Sequence, residues 1–276
     1  PQNNLCLFWS VELFKELYTL TDKPEFLRIG CNLLDRLCLY QQVWDAPHLS
    51  FNTFGGFGVM NTDAEWSDAR QSLFAETLMD YYLLTGEREY FERGVAALRA
   101  SFTLMLIPEN RSVAPGNLRT LLPKDIGATY ENYAHCGYDR RVPGYIMYDW
   151  GSGGAITTAA RTLDRFGDFL IDVKRENAFG INFCLLRDLK IKRGTIEIEM
   201  ESPALTEREW KGKIIGLPTG RWKIVVNGQQ VERLEHKGRE CWVRFKLVPF
   251  GREIFHAKAQ RAQRYRAHSR APLHEG

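Results

Sequence analysis

The pentapeptides Tyr18-Thr19-Leu20-Thr21-Asp22 and Tyr82-Leu83-Leu84-Thr85-Gly86 decide the fold, because they align at an offset of 64 residues, from Tyr18 to Tyr82. At the same offset Gly30 matches Gly94. Each copy predicts a helix, a tight turn and a second helix. Self-similarity over such a period is typical of stacked supersecondary units, here helical hairpins.

Apolar residues recur at the three- and four-residue spacing of amphipathic helices on both sides of each turn. Four stripes carry the pattern: Leu13, Phe14, Leu17 and Tyr18; Phe26, Gly30, Leu33 and Leu37; Phe74, Leu78, Tyr81 and Tyr82; and Phe91, Val95, Leu98 and Phe102. Pro24 fits the first turn of a helix, where its missing N–H is not needed, and Gly86 fits a helix end. The small residues Gly94, Ala97 and Ser101 predict a close helix–helix approach.

The hydrophobic pattern changes period near Gly167. A last helix is predicted from Gly154 to Phe166, with Ser152 and Gly167 as its caps. Beyond it, apolar residues alternate with polar ones, as in strands with one buried face. The segments with this pattern are 169–173, 178–183, 195–200, 222–226 and 241–248. Asn227-Gly228 is a strong signal for a two-residue hairpin.

The predicted fold class is therefore α followed by β, a multidomain α+β chain. Residues 1–167 are predicted to form helical hairpins, and residues 168–254 a small antiparallel β-sandwich domain. Residues 255–276 lack apolar periodicity and are predicted to be a basic, disordered tail. A strand between residues 67 and 104 would contradict this prediction.

The formal net charge of +3 comes from the C-terminal end of the chain. Residues 251–276 carry six basic and two acidic side chains, so residues 1–250 carry 31 basic against 32 acidic ones, a net of −1. A body of this charge gives no support for a nucleic-acid surface.

The six cysteines form no C-x-x-C pair, so a structural zinc site is not expected, and neither metal nor cofactor is implied. No apolar run approaches the roughly 20 residues that span a bilayer, so no membrane span is predicted. The chain opens at Pro1 in a helical pattern. We expect it to continue a longer protein, which leaves the compartment and the oligomeric state open.

Two long connections, residues 43–66 and 106–153, interrupt the hairpins, and connections longer than about 15 residues usually have a function. Both are rich in aromatic, carboxylate and glycine residues. Aromatic faces stack on sugar rings, and carboxylates accept hydroxyl hydrogen bonds or transfer protons. Thr62-x-x-Glu65 matches a capping box, which favours a structural role for Glu65. The connections together predict a glycan as substrate.

Tandem helical hairpins with the turn Leu84-Thr85-Gly86-Glu87 resemble the six-hairpin (α/α)6-toroid glycosidase superfamily. The segments Trp66-Ser67-Asp68-Ala69-Arg70-Gln71 and Asp149-Trp150-Gly151-Ser152-Gly153-Gly154 share this resemblance, which covers residues 1–167. The resemblance implies a funnel of helix ends and long loops that holds a glycan. It also implies an incomplete toroid, because about five helices are predicted where six hairpins would close the ring.

The leading hypothesis is a glycoside hydrolase-like enzyme that acts on an oligo- or polysaccharide by carboxylate acid/base catalysis. The candidate catalytic residues are Asp63, Glu131 and Asp149. The candidate substrate contacts are Trp66, Asp68, Arg70, His135, Tyr145 and Trp150.

Two alternatives stay open. A polysaccharide lyase would use Tyr145 or Tyr130 as base and acid, His135 as their partner, and Arg70 or Arg140 to hold a uronate carboxylate. A non-catalytic glycan-binding module would need no converging carboxylates.

The β domain is predicted to be an accessory module without catalytic residues. Its polar side chains are mostly Lys, Arg and Glu, as on a solvated face. Trp222 and Trp242 lie beside Ile224 and Val243 in apolar strands and are expected to be buried. Exposure of both, together with Trp210, would instead indicate carbohydrate binding.

Overall fold

The computed structural model describes residues 2–44, 52–60, 68–103, 105, 107–108, 126–130, 146–147, 150–202, 207–238 and 240–247. The chain divides into two compact units, residues 1–164 and 165–276. Five helices come first and two four-stranded sheets follow, so the predicted order of helices and then sheets is confirmed. None of the described helices is long and apolar enough to cross a membrane.

The helical unit consists of two hairpins and a fifth helix. The helices are α1 (Asn4–Thr21), α2 (Pro24–Cys38), α3 (Gln71–Thr85), α4 (Arg88–Ala100) and α5 (Trp150–Phe166). Helix α1 packs against α2, and α3 packs against α4. No strand occurs among the described residues 68–103, which agrees with the prediction of helices there.

The repeated turns end α1 and α3 in the same way. Asp22 follows α1 with φ 53°, and Gly86 follows α3 with φ 84°. In each case the backbone N–H of the left-handed residue donates to a tyrosine carbonyl, that of Tyr18 or Tyr82, at 2.8 and 2.7 Å. Pro24 opens α2, where no intrahelical partner for an N–H exists. The predicted helix–turn–helix repeat is confirmed.

Helices α1 and α3 run side by side, with the rings of Phe8 and Phe74 5.2 Å apart. The buried apolar residues of α1 are Leu7, Phe8 and Val11, whereas Leu13 is 55% exposed. The predicted α1 stripe was therefore wrong at Leu13, whereas its other members, Phe14, Leu17 and Tyr18, are half-buried.

Helix α5 begins at Trp150, four residues before its predicted start at Gly154. Ser152 therefore lies inside the helix instead of capping it, and its hydroxyl donates to the Gly127 carbonyl at 2.5 Å. Gly167 follows the helix with φ 76°, as a terminating glycine should. Two short strands that the sequence did not predict, β1 (Thr129–Tyr130) and β2 (Ile146–Met147), pair in the second long connection.

Eight strands form the second unit: β3 (Phe169–Asp172), β4 (Asn177–Gly180), β5 (Leu185–Lys192), β6 (Thr195–Glu201), β7 (Arg208–Ile215), β8 (Gly220–Val226), β9 (Gln229–His236) and β10 (Cys241–Leu247). One sheet has the order β10-β7-β3-β4 and the other β5-β6-β8-β9. Buried side chains from both sheets share one apolar core, which makes the unit sandwich-like.

The prediction of an antiparallel domain was wrong for two strand pairs, since β3–β7 and β6–β8 are parallel and both sheets are mixed. The reason lies in the order in which the chain visits the sheets. After the β5–β6 hairpin the chain enters the other sheet as β7 and then returns as β8. Strands β6 and β8 are thus joined by a crossover and not by a hairpin, which is the connection that a parallel pair requires.

The predicted alternation and hairpin are both present. Ile196, Ile198 and Met200 in β6 are at most 1% exposed, and their neighbours in the strand face outward. Asn227 and Gly228 join β8 to β9 with φ 53° and 78°, the left-handed values that a type I′ turn requires.

The expected burial of Trp222 and Trp242 was wrong, because both are only half-buried, while Trp210 is 1% exposed. Cys241 and Val243 fill the inner face of β10, so the two-residue period turns Trp242 outward. The Lys211 ammonium lies 4.1 Å from the centre of the Trp242 ring. Trp222 packs at the margin of the core.

Candidate functional site at the loop end of the helices

Most of the predicted site residues lie outside the described residues. This applies to the three catalytic candidates Asp63, Glu131 and Asp149, and to the contacts Trp66, His135 and Tyr145. Trp150 is described as the first residue of α5, without its side chain. Asp68 and Arg70, the remaining two, are described with their side chains.

Asp68 and Arg70 form an ion pair directly before α3. The Nε of Arg70 donates to both carboxylate oxygens of Asp68, at 2.9 and 3.0 Å, and its backbone N–H donates to Oδ1 at 3.0 Å. The side chain of Asp68 has no exposed surface, whereas that of Arg70 is 20% exposed. A buried carboxylate needs such partners, because an unpaired buried charge is strongly destabilising.

Asn4 completes this arrangement from the start of α1. Its Nδ2 donates to Oδ2 of Asp68 and to the Gly58 carbonyl, both at 2.8 Å. Gln71 accepts from the Phe57 N–H at 2.9 Å. These contacts join the starts of α1 and α3 to Phe57 and Gly58 of the first connection. We call this group the polar anchor; it consists of Asn4, Asp68, Arg70 and Gln71.

The glycine-rich part of the first connection is a structural support. Gly55 has φ 88°, and a Cβ there would lie 2.4 Å from the Ala96 carbonyl oxygen of α4. The Gln41 side chain donates to the carbonyls of Gly55 and Arg93 at 2.9 and 3.0 Å. Phe57 is fully buried. The segment therefore packs tightly on α4, and this packing fixes the position of this part of the first connection.

At Gly151 the start of α5 meets the second connection and the segment just before α3. A Cβ at this position would lie 2.4 Å from Cγ2 of Thr129 and 2.9 Å from Cβ of Ala69. Thr129 also bridges to Met105 just beyond α4, and Ala69 lies between the ion-paired Asp68 and Arg70. Described residues of both long connections therefore lie at one end of the helices, where α1, α3 and α5 begin. We call it the loop end.

Exposed aromatic side chains occur in the first connection and near the start of α1. Trp44 and Phe54 of the first connection are each 48% exposed, and Trp9 in the second turn of α1 is 60% exposed. Sequence reasoning did not single out Trp9 or the buried Asn4. The exposure of Trp9 depends on which face of α1 packs against α3, and the sequence alone does not show that face.

A second candidate is an open cleft of about 370 Å³ between the end of α2 and the start of α4. The Tyr90 hydroxyl donates to Asp35 at 2.7 Å there. Burial and this hydrogen bond raise the pKa of Tyr90, and burial raises the pKa of the Cys38 thiol to about 12. Both groups stay protonated at neutral pH, so neither is suited to act as a base or nucleophile.

Among the described residues, no group of three or more His, Cys, Asp or Glu side chains is placed to hold a metal ion. Comparisons of the chain with protein-family models, curated proteins and solved structures give no match.

Proposed function

We propose that the chain acts on a glycan at the loop end of its helices, by carboxylate acid/base catalysis, and that its hairpins belong to an incomplete toroid. The observation that carries the proposal is the contact region of Ala69, Thr129 and Gly151, where the second connection and the start of α5 meet the residues that lead from the first connection into α3. Had the connections occupied opposite ends of the helices, their carboxylates would have no common substrate.

The three proposed catalytic carboxylates are close in sequence to these contact residues. Glu131 follows Thr129 by two residues, and Asp149 precedes Gly151 by two. Asp63 precedes Ala69 by six. Because an extended chain spans only about 3.5 Å per residue, the two-residue separations of Glu131 and Asp149 favour a shared site, and the six residues before Ala69 allow Asp63 to reach it. A carboxyl separation of about 5–5.5 Å would give retention, and about 6.5–9.5 Å inversion.

Arg70 and Asp68 take different parts in this proposal. Arg70 keeps part of its guanidinium side chain exposed and would contact the substrate, whereas the buried Asp68 holds it in place. Asp68 is then a positioning residue. The exposed rings of Trp44 and Phe54 supply apolar faces of the kind on which sugars stack.

Arg70 also favours a second candidate, the lyase. A positively charged guanidinium that a buried carboxylate holds in place suits the recognition of a uronate carboxylate. Elimination would then proceed with Tyr130 or Tyr145 as base.

Incubation of the protein with neutral and uronate polysaccharides tests the proposal and separates the two candidates. Hydrolysis releases reducing ends without ultraviolet absorbance, whereas elimination releases unsaturated ends that absorb. Release of either product supports action on a glycan. Absence of both from every polymer would contradict it.

A further inference from the structure

Cationic side chains are concentrated at one end of the sheet β5-β6-β8-β9, where β5 turns into β6. Six of them are exposed there, and we call them the basic end: Lys192, Arg193, Arg221, Lys223, Arg233 and Lys237. Two acidic residues lie beside them, Glu235 opposite Arg221 and Glu197 near Lys192. Residues 1–250 have a net charge of −1, so this concentration does not follow from composition.

The strand register places three of the cations in one row across the sheet. Lys192 pairs with Thr195, Thr195 pairs with Lys223, and Lys223 pairs with Arg233. Neighbouring strands are about 4.8 Å apart, so the row is about 14 Å long. Directly opposite like charges, as at Lys223 and Arg233, destabilise a sheet. The fold therefore keeps an arrangement that costs stability.

Few protein groups offset these charges. Lys192 lies 3.8 Å from Glu197, and the Arg233 Nε donates to Gln230 at 3.3 Å. Within the described ranges, Arg221 and Lys223 have no ion pair or side-chain hydrogen bond. Their charges are available to an anionic partner.

We propose that the basic end binds a polyanionic polysaccharide, a chain that carries sulfate or uronate groups. The inference rests on the proposed action on glycans and specifies the class of glycan. Charge complementarity is the argument: a row of exposed cations, spaced by the strand register, matches a polymer with regularly spaced anions. The β unit then anchors the polymer without taking part in catalysis.

The same surface is poorly suited to nucleic acid. Proteins that bind single strands combine cations with aromatic side chains on which bases stack. Trp222, between Arg221 and Lys223, is turned toward the core by the two-residue period of its strand. The basic end thus offers charge without a described stacking platform, which favours the polysaccharide.

Binding assays with the full chain test this proposal. The ligands are heparin, polygalacturonate, dextran and a single-stranded oligonucleotide, and binding is then titrated at several salt concentrations. Heparin represents sulfated chains and polygalacturonate represents uronate chains. We expect binding to at least one of these two, weakening as salt rises, and no binding to dextran. The double variant Lys223→Glu/Arg233→Glu should weaken that binding by at least about tenfold, because it removes two cations and adds two anions to the row.

The matched control is Arg244→Glu/Lys246→Glu, which changes the net charge equally at two exposed positions of the other sheet. We expect the control to change affinity by no more than about threefold, because these charges lie outside the row. Both variants keep the basic residues 251–276, so any contribution from them is common to both. Equal losses in the two variants, absence of binding to both acidic polymers, or tighter binding to the oligonucleotide would overturn the inference. Product release is measured separately, so a failure of the proposed catalysis is distinguishable from a failure of binding.

Discussion

Asn4 and Asp68 are 64 residues apart in the sequence, yet the Asn4 amide donates to the Asp68 carboxylate at 2.8 Å, and neither residue is exposed. The separation equals the repeat offset, so the two residues occupy equivalent positions of the repeat. Asn4 is the first residue of α1, and Asp68 lies three residues before the start of α3 at Gln71. Arg70 shares the carboxylate. This polar anchor fixes the loop end, on which the proposed site depends.

Asp68→Ala should lower the free energy of unfolding of the helical unit by about 3–5 kcal/mol, because it leaves Arg70 and Asn4 without their buried partner. Urea unfolding followed by helical ellipticity measures the change. Glu92→Ala is the control, since its pair with Arg88 is about half exposed on both sides. Such a pair contributes about 0–1 kcal/mol. Equal effects in the two variants would show that Asp68 does not anchor the unit.

Gly30→Ala should destabilise the helical unit by about 1–3 kcal/mol, because the new Cβ would overpack the α2–α3 contact. That Cβ would lie 2.0 Å from the Tyr81 hydroxyl, which donates to the Val11 carbonyl at 2.9 Å. In a Tyr81→Phe background the same substitution should cost less, since the obstructing oxygen is gone. A double-mutant cycle by urea unfolding measures the difference.

Gly153→Ala provides the contrast within the same unit. Gly153 lies in α5, and a Cβ there meets no atom within 4 Å. The substitution should stabilise the chain by up to about 1 kcal/mol, as alanine does in an exposed helix interior. Destabilisation would show that α5 is not helical at this position.

The stability of the helical unit should fall as pH rises above 9. Burial raises the pKa of Cys38 from 9.0 to about 12, so the unfolded chain loses this proton first. The folded state then binds more protons than the unfolded state, and alkali favours unfolding from pH 9 to about 12. Cys38→Ala should flatten this dependence, whereas Cys6→Ala, at an exposed position, should leave it unchanged. Parallel pH profiles for all three proteins would contradict the assignment.

Asp168→Ala should destabilise the β unit by about 3–5 kcal/mol, because Asp168 is a buried acceptor for several donors. Asn182 and Arg208 donate to its Oδ1 at 2.7 and 2.5 Å, and the Lys211 N–H donates to Oδ2 at 2.8 Å. Urea unfolding followed by tryptophan fluorescence measures the change, and three of the seven tryptophans, Trp210, Trp222 and Trp242, report on this unit. The exposed Glu207 offers the control Glu207→Ala, for which a change within about 0.5 kcal/mol is expected.

The sequence predicted those parts of the fold that depend on short segments. The turns at Asp22 and Gly86 and the hairpin at Asn227-Gly228 need particular backbone angles, and their residues supply them locally. The outward position of Trp242 was missed, because an apolar strand does not reveal which of its faces meets the core. The parallel pairing of β6 with β8 was missed because it depends on where the chain changes sheets.

The candidate site stays a prediction, and its basis in the sequence is a location. Carboxylates and aromatics in two long connections indicated the loop end, and Gly151 beside Thr129 and Ala69 agrees with that. The role of Asp68 could not be predicted, because its burial depends on Asn4 in another hairpin. Asp63, Glu131 and Asp149 stay predictions, since they lie outside the described residues.

The central claim is that the loop carboxylates catalyse turnover of a glycan. The kcat for product release from the best polysaccharide substrate tests it most directly. It is measured for the variants Asp63→Asn, Glu131→Gln and Asp149→Asn. The control is Asp164→Asn, an exposed carboxylate on α5 far along the helix from the loop end. Loss of a general acid or base costs about 100- to 10,000-fold, so at least two of the three variants should fall by about 100-fold or more. The control should keep the wild-type kcat. Wild-type turnover in all three variants, or no turnover of any glycan by the unaltered protein, would contradict the proposed function.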